Sequence, residues 1–173
     1  MHPPTSSGSE QKTEVWHGNE NVIKKSLEIL HSIKNQYDLC IPVKGPDTIL
    51  SQDRIRNTMY DLRNRGVIIR IITEVTDDNL ISCSELSAIA DLRHLSEIVG
   101  NFVIADRNKY GGLADLEDVF PYITELIYSN VPSFVKQQQR FFDMLWKRAI
   151  PLKQRIKEIK ERSKREFIET VQD

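Results

Sequence analysis

Val99-Gly100-Asn101-Phe102-Val103-Ile104-Ala105-Asp106, followed after a short polar turn by Tyr110-Gly111-Gly112-Leu113, is the stretch whose reading decides the fold. Phe102 to Ala105 is an unbroken apolar run held between Asn101 and Asp106. Its length and polar flanks predict a buried strand over Asn101–Asp106. The Gly-Gly-Leu stretch predicts a second strand close behind it, and Thr124–Tyr128 a third.

Working outward, the chain alternates helical and extended patterns. Val22, Ile23, Leu27, Leu30 and Ile33 recur at helical spacing and predict an amphipathic helix over Asn21–Tyr37. Asp38 to Val43 reads as a buried strand, with pairing expected to stop near Pro42, which has no N–H to donate. Lys44-Gly45-Pro46-Asp47 is turn chemistry. Ser51 is a candidate cap for a helix to Arg65, with Gly66 at its C-terminal stop. Val67–Thr73 is the clearest strand, a β-branched run between a glycine and polar residues. A helix from Asp77 or Asp78 to Ala90 follows, then a short extended piece, Arg93-His94-Leu95. Ser129 or Asn130 is expected to cap a long helix with Pro132 in its first turn. Pro151 breaks that helix, and Leu152–Asp173 resumes as a basic amphipathic one. The β-α-β-α-β opening predicts an α/β domain, a sheet layered with helices. The divisions expected are a flexible leader over 1–14, the domain over 15–150 and a helical extension or stalk over 151–173.

Composition narrows the functional classes. The chain has 173 residues, 28% of them charged and 39% hydrophobic, with a formal net charge of -1. No global field draws it to nucleic acid or an anionic membrane, so nucleic acid is not the expected partner. No apolar run nears the roughly 20 residues of a membrane helix, and Met1–Glu14 has no apolar signal-like segment. Two cysteines, Cys40 and Cys83, suggest reduced thiols in a cytoplasmic protein rather than a disulfide framework or zinc site. The four histidines show no metal-ligand or triad spacing. No metal or cofactor is expected.

The Val99–Asp106 and Gly111–Gly112 stretches together resemble a phospholipase D repeat, whose signature is His-x-Lys-x4-Asp on a strand followed by a Gly-rich turn. Ile127–Pro132 leading into Phe141-Phe142-Asp143-Met144-Leu145-Trp146 is similar to the last strand and helix of that superfamily. Val99 and Asn101 occupy the positions of the nucleophilic His and the Lys, and only Asp106 remains. The resemblance therefore implies a phospholipase D-like mixed sheet flanked by helices, with the shape kept and the reaction lost. More closely, Thr13–Gly18, Arg70–Asn79, Arg93–Leu95, Gly100–Phe102 and Phe134–Pro151 resemble the sensor domains ahead of histidine kinases in ammonia-oxidising archaea. No His follows His94 in this sequence, and no Asn- and Gly-rich ATP-binding boxes appear. The likeness implies a non-catalytic sensor in a two-component type system, with a histidine kinase or other signalling protein as partner. It also implies a homodimer, since single-repeat members of the superfamily pair.

Ligands of open α/β sheets sit beyond the C-terminal ends of the strands. That rule selects Thr73 and Glu74, and Asn79 at the next helix start. Arg70, Arg93, His94 and Asn101 complete an expected pocket for a small polar ligand. The competing readings are strand-end ion pairs and caps, a protein-interaction or transcription-accessory module, and a divergent phosphodiesterase that would have to use His94.

Overall fold

A computed structural model describes residues 10–98, 100–114 and 125–171. Val99 and Thr124 lie outside the described residues. The backbone forms β1 (Thr13–His17), α1 (Asn19–His31), β2 (Gln36–Cys40), α2 (Gly45–Ser51), α3 (Asp53–Asn64) and β3 (Ile68–Thr73). It continues with α4 (Leu80–Leu86), β4 (Asp91–His94), β5 (Phe102–Ala105), β6 (Lys109–Ala114) and β7 (Glu125–Ser129). It ends with α5 (Pro132–Arg148), β8 (Ile150–Pro151) and α6 (Leu152–Val171).

The strands make one mixed sheet in the order β1-β7-β6-β5-β2-β3-β4-β8. β2, β3 and β4 run parallel, whereas β5 joins β2 antiparallel and leads into an antiparallel meander closed by β1. Alternation along each strand separates two cores. Tyr37, Leu39, Ile69, Ile71, Leu92 and Val103 face one way, packing with α1, α3 and α4 and with Leu152 and Ile159 of α6. Cys40, Ile72, Phe102 and Ile104 face the other way, beneath Val135 and Phe142 of α5. The result is a sheet layered by helices on both faces, as the β-α alternation predicted.

Several boundaries differ from expectation, each for a local reason. The first helix stops at His31, because Lys34–Gln36 turn their N–H groups onto Asp106 and β2 begins at Gln36. The Asp106 carboxylate accepts from the N–H groups of Lys34, Asn35 and Gln36 at 2.7–3.0 Å. Burial acts to raise its pKa, and these three donors more than offset that, so the group stays ionised below the ordinary carboxylate value. The Gly45–Asp47 turn is the first turn of α2, with Pro46 where its missing donor is tolerated. Extended backbone at Gln52 then divides α2 from α3. α4 ends at Leu86, and the bonds from Ala88 to Glu85 and Ile89 to Leu86 are tight i to i−3 turns.

β1 and β8 were not foreseen as strands. β1 starts within the stretch read as a leader, paired along β7 from Thr13–Ser129 to His17–Glu125. β8 is a two-residue edge on β4, where Pro151 breaks the helix as expected. Gly66 does lie at positive φ (86°) just past α3, the left-handed stop that a glycine reaches without a steric penalty. The Gly-Gly pair is explained by crowding. A Cβ on Gly111 would sit 3.1 Å from Val103 Cγ2 and 3.3 Å from Leu126 Cδ1.

Candidate functional site

β2 is the switch point of the sheet. The chain proceeds from β2 to β3 and β4 on one side, and returns antiparallel as β5 on the other. Crevices open at such points because neighbouring connections leave in opposite directions. A cavity of about 360 Å³ lies there, under α1, α2 and α3. Tyr37, Leu39 and Val103 form its floor, Val22, Ile23 and Leu30 the α1 wall, and Ile49, Ile55 and Met59 the α2–α3 wall. Pro42, Val43 and Lys44 close the strand end, and Ile98, Asn101 and Leu113 border the β5–β6 side.

The cavity is apolar with a few hydrogen-bonding groups. Asn19, Ser26, Thr48, Gln52 and Asn101 line it along with Tyr37. Among the described residues it holds no carboxylate, no imidazole and no thiol. Burial pushes the Tyr37 phenol well above its ordinary value, so it is a neutral hydroxyl at physiological pH. Lys44 is the charged residue on the wall among the described residues, and it is not without a partner. Such a lining can bind and orient a molecule, and among the described residues it offers no carboxylate or imidazole base and no thiol nucleophile.

Of the seven residues expected to form the pocket, Asn101 lines this cavity and the other six do not. Arg70 points to the opposite face of the sheet. Its Nε and Nη2 each donate to a different Asp38 oxygen at 2.7 Å, and Nη2 also reaches Asp143 at 3.1 Å. Gln139 completes the cluster on Asp38 at 2.9 Å. Arg93 lies over the Trp146 ring at 4.1 Å and donates to the Trp146 carbonyl, tying β4 to α5. The small polar pocket expected around Arg70 and Arg93 is therefore replaced by an ion-pair and stacking clamp under α5.

Thr73, Glu74, Asn79 and His94 form a second group, a hydrogen-bonded turn between β3 and α4. The Thr73 hydroxyl donates to the Pro42 carbonyl. Asn79, 1% exposed, accepts from Thr76 N–H at 2.9 Å and donates to the Val43 and Glu74 carbonyls at 2.8 and 2.9 Å. His94 Nδ1 accepts from the Val75 N–H at 2.9 Å, and its Nε2 meets the Ser96 hydroxyl. The Glu74 carboxylate accepts from the Glu97 N–H. From the other side, Arg155 of α6 donates to the Val75 carbonyl at 3.1 Å, and Arg162 pairs with Asp77. A continuous set of bonds thus runs from the cavity wall at Val43, through Asn79 and the Val75 turn, to α6.

The His94 contact makes this turn pH-sensitive. Burial and the nearby Arg155 lower its pKa from 6.5, only partly offset by Glu74 and Glu158. The unfolded chain therefore takes up this proton before the folded one does, and stability rises with pH across that window. We expect the His94 contribution to be complete above about pH 6.5 and to decline on acidification, as protonation of Nδ1 removes the acceptor for Val75. An imidazole NMR titration checks it; a His94 midpoint above 6.5 would contradict it.

Sequence reasoning missed Tyr37, Ser26 and Gln52. A signal was present: Asn19 and Ser26 interrupt the apolar stripe of α1 at the spacing of Val22, Ile23 and Leu30, where core residues belong.

The fold these features define is that of a phospholipase D-like domain. No protein-family model matches the sequence, and no curated protein matches it. Solved structures do resemble the chain. Nuc from Salmonella typhimurium, described as a phospholipase D family member, shares 12% identity with a TM-score of 0.64, over 82% of this chain and 98% of that one. NucT from Helicobacter pylori shares 10% identity with a TM-score of 0.66, over 82% of this chain and 99% of that one. TrmBL2, described as an archaeal chromatin protein with a novel mode of DNA binding, shares 18% identity with a TM-score of 0.61. That likeness covers 87% of this chain, which spans 57% of the TrmBL2 chain. Among the described residues no helix is long and apolar enough to cross a membrane.

Proposed function

We propose that this chain is a non-catalytic ligand-sensing domain of phospholipase D-like fold. It holds a small molecule in the cavity at the end of β2 and passes the bound state to α6. The observation that carries the reading is a cavity of about 360 Å³ at the sheet's switch point, lined without an acid, base or activated nucleophile among the described residues. Asn101 supplies an amide there, and His94 is engaged by Val75 and Ser96 away from the cavity. Both points support binding over phosphodiester chemistry. Val99, the position that the family signature gives to His, lies outside the described residues.

Output runs through α6. Its first half packs Leu152 and Ile159 into the core, and its second half carries Phe167 and Ile168 at 71% and 54% exposure. An exposed apolar pair on a projecting helix supports a seam with a second copy or with a signalling partner such as a histidine kinase. A two-component setting and a cytoplasmic location belong to this reading through the resemblance of the sequence to kinase-linked sensor domains.

A second reading is a transcription-accessory module. The fold likeness to TrmBL2, a DNA-binding protein, favours it, as do the exposed Lys153, Lys157, Lys160, Lys164 and Arg165 on α6. Glu158, Glu161 and Glu166 on the same helix dilute that charge.

Native mass spectrometry of the full chain as purified tests the first reading. A reproducible small-molecule adduct is the expected result. A bare chain, with no thermal stabilisation by small molecules and tight salt-dependent binding to duplex DNA, would replace it with the second reading.

A further inference from the structure

Building on the ligand-sensing reading, we infer that the cavity ligand is an uncharged amphiphile: a mainly hydrocarbon body bearing one or two hydrogen-bonding groups such as a hydroxyl or carbonyl.

Size sets the first limit. A dry apolar cavity of about 150 Å³ takes up benzene, and this one, at about 360 Å³, has room for roughly twice that body. Wall chemistry sets the second. Leu39, Ile55, Met59 and Val103 offer hydrocarbon contact, which suits neither a sugar, whose hydroxyls would lose water without replacement partners, nor a phosphate. Charge sets the third. The wall has no carboxylate for a cation among the described residues, and its Lys44 is already partnered.

The unpaired polar groups define what the ligand must carry. Tyr37 is 6% exposed, and its hydroxyl has no hydrogen-bond partner among the described residues, although it stands in the cavity lining. The ring is buried while the hydroxyl is not among the polar atoms sealed from water, so a molecule entering the cavity can bond it in place of solvent. A ligand hydroxyl or carbonyl reaching Tyr37 satisfies it. The side chains of Ser26, Gln52 and Asn101 also make no hydrogen bond among the described residues, and each is half-buried on the same lining. The pattern is a mainly hydrocarbon lining with a few hydrogen-bonding residues, the lining expected for a neutral amphiphile.

The test uses the full chain with N-phenyl-1-naphthylamine, an uncharged aromatic amphiphile whose fluorescence rises in apolar surroundings. The expected result is saturable binding to one site, displaced by 1-octanol but not by glucose or inorganic phosphate, and less well by octanoate. Ile55→Trp, which fills the chamber, is expected to weaken binding at least tenfold. Ser26→Phe does so from the opposite wall and covers the case in which the first variant does not fold. Tyr37→Phe keeps the shape and removes the hydroxyl, and is expected to weaken 1-octanol about three- to tenfold. Unchanged binding in folded filled variants overturns the proposal, since the probe then sits elsewhere. Stronger displacement by octanoate, glucose or phosphate overturns the neutral class but leaves the sensor reading standing. Failure of the probe to bind overturns the class; a polar adduct by native mass spectrometry would then preserve the sensor reading, and a bare chain would remove both.

Discussion

Arg70→Ala is expected to destabilise the domain by about 3–5 kcal/mol, a large share of the stability of a single domain. The reason is the charge it leaves behind. The Asp38 side chain is 1% exposed, and Arg70, 18% exposed, meets both of its oxygens. Removing the guanidinium leaves a buried carboxylate with, among the described residues, the Gln36 and Gln139 amides as its remaining donors. Arg70 also lies 4.9 and 5.1 Å from the centres of the Phe142 and Trp146 rings, so packing beneath α5 is lost with the charge. Combining Arg70→Ala with Asp38→Asn, which removes the stranded charge, is expected to cost less than the sum of the two single changes. Urea unfolding measures all three variants. A loss below about 1 kcal/mol for Arg70→Ala would mean that the pair behaves as an exposed one.

Asn79→Ala is the second large effect, expected at about 2–4 kcal/mol because three backbone groups lose their partner at once. Thr76 N–H and the Val43 and Glu74 carbonyls all depend on this one buried amide. Asn79→Asp keeps an acceptor for Thr76 but turns a carboxylate toward two carbonyl oxygens, so it is expected not to rescue. The functional consequence is sharper than the loss of stability. Val43 is cavity wall and Val75 is the contact of Arg155, so the variant cuts the bonded route between cavity and α6. It should still bind N-phenyl-1-naphthylamine, within about threefold, at temperatures where it stays folded. It should no longer alter α6 on binding.

The strand core was legible because β5 is a short apolar run with polar ends and β3 is a β-branched run broken only by Arg70. β1 was not, since Thr13–His17 alternates without a strong apolar side and is held by its register on β7. β8 is two residues long and exists only through β4. The site was legible in part. The rule of strand ends selected Thr73, Glu74 and Asn79, whose turn bonds the cavity wall at Val43, and Asn101 lies on the cavity lining. Sequence position did not tell which way each side chain turns. Arg70 sits one residue from Ile69 and Ile71, and the pleat sends it to the opposite face, where Asp38 waits at the same register on β2. Thr73, Asn79 and His94 looked like ligand donors because polar residues at strand ends often are. Each also bonds a backbone group distant in sequence, Pro42 for Thr73, Val43 for Asn79 and Val75 for His94, which no local pattern reveals.

The most direct test of the account is hydrogen exchange on the full chain with and without saturating N-phenyl-1-naphthylamine. Changed exchange is expected at Val43–Lys44, at the Glu74–Asn79 turn and in the first half of α6, with the α6 change absent in Asn79→Ala. Changes confined to residues lining the cavity, with α6 identical in both states, would contradict it.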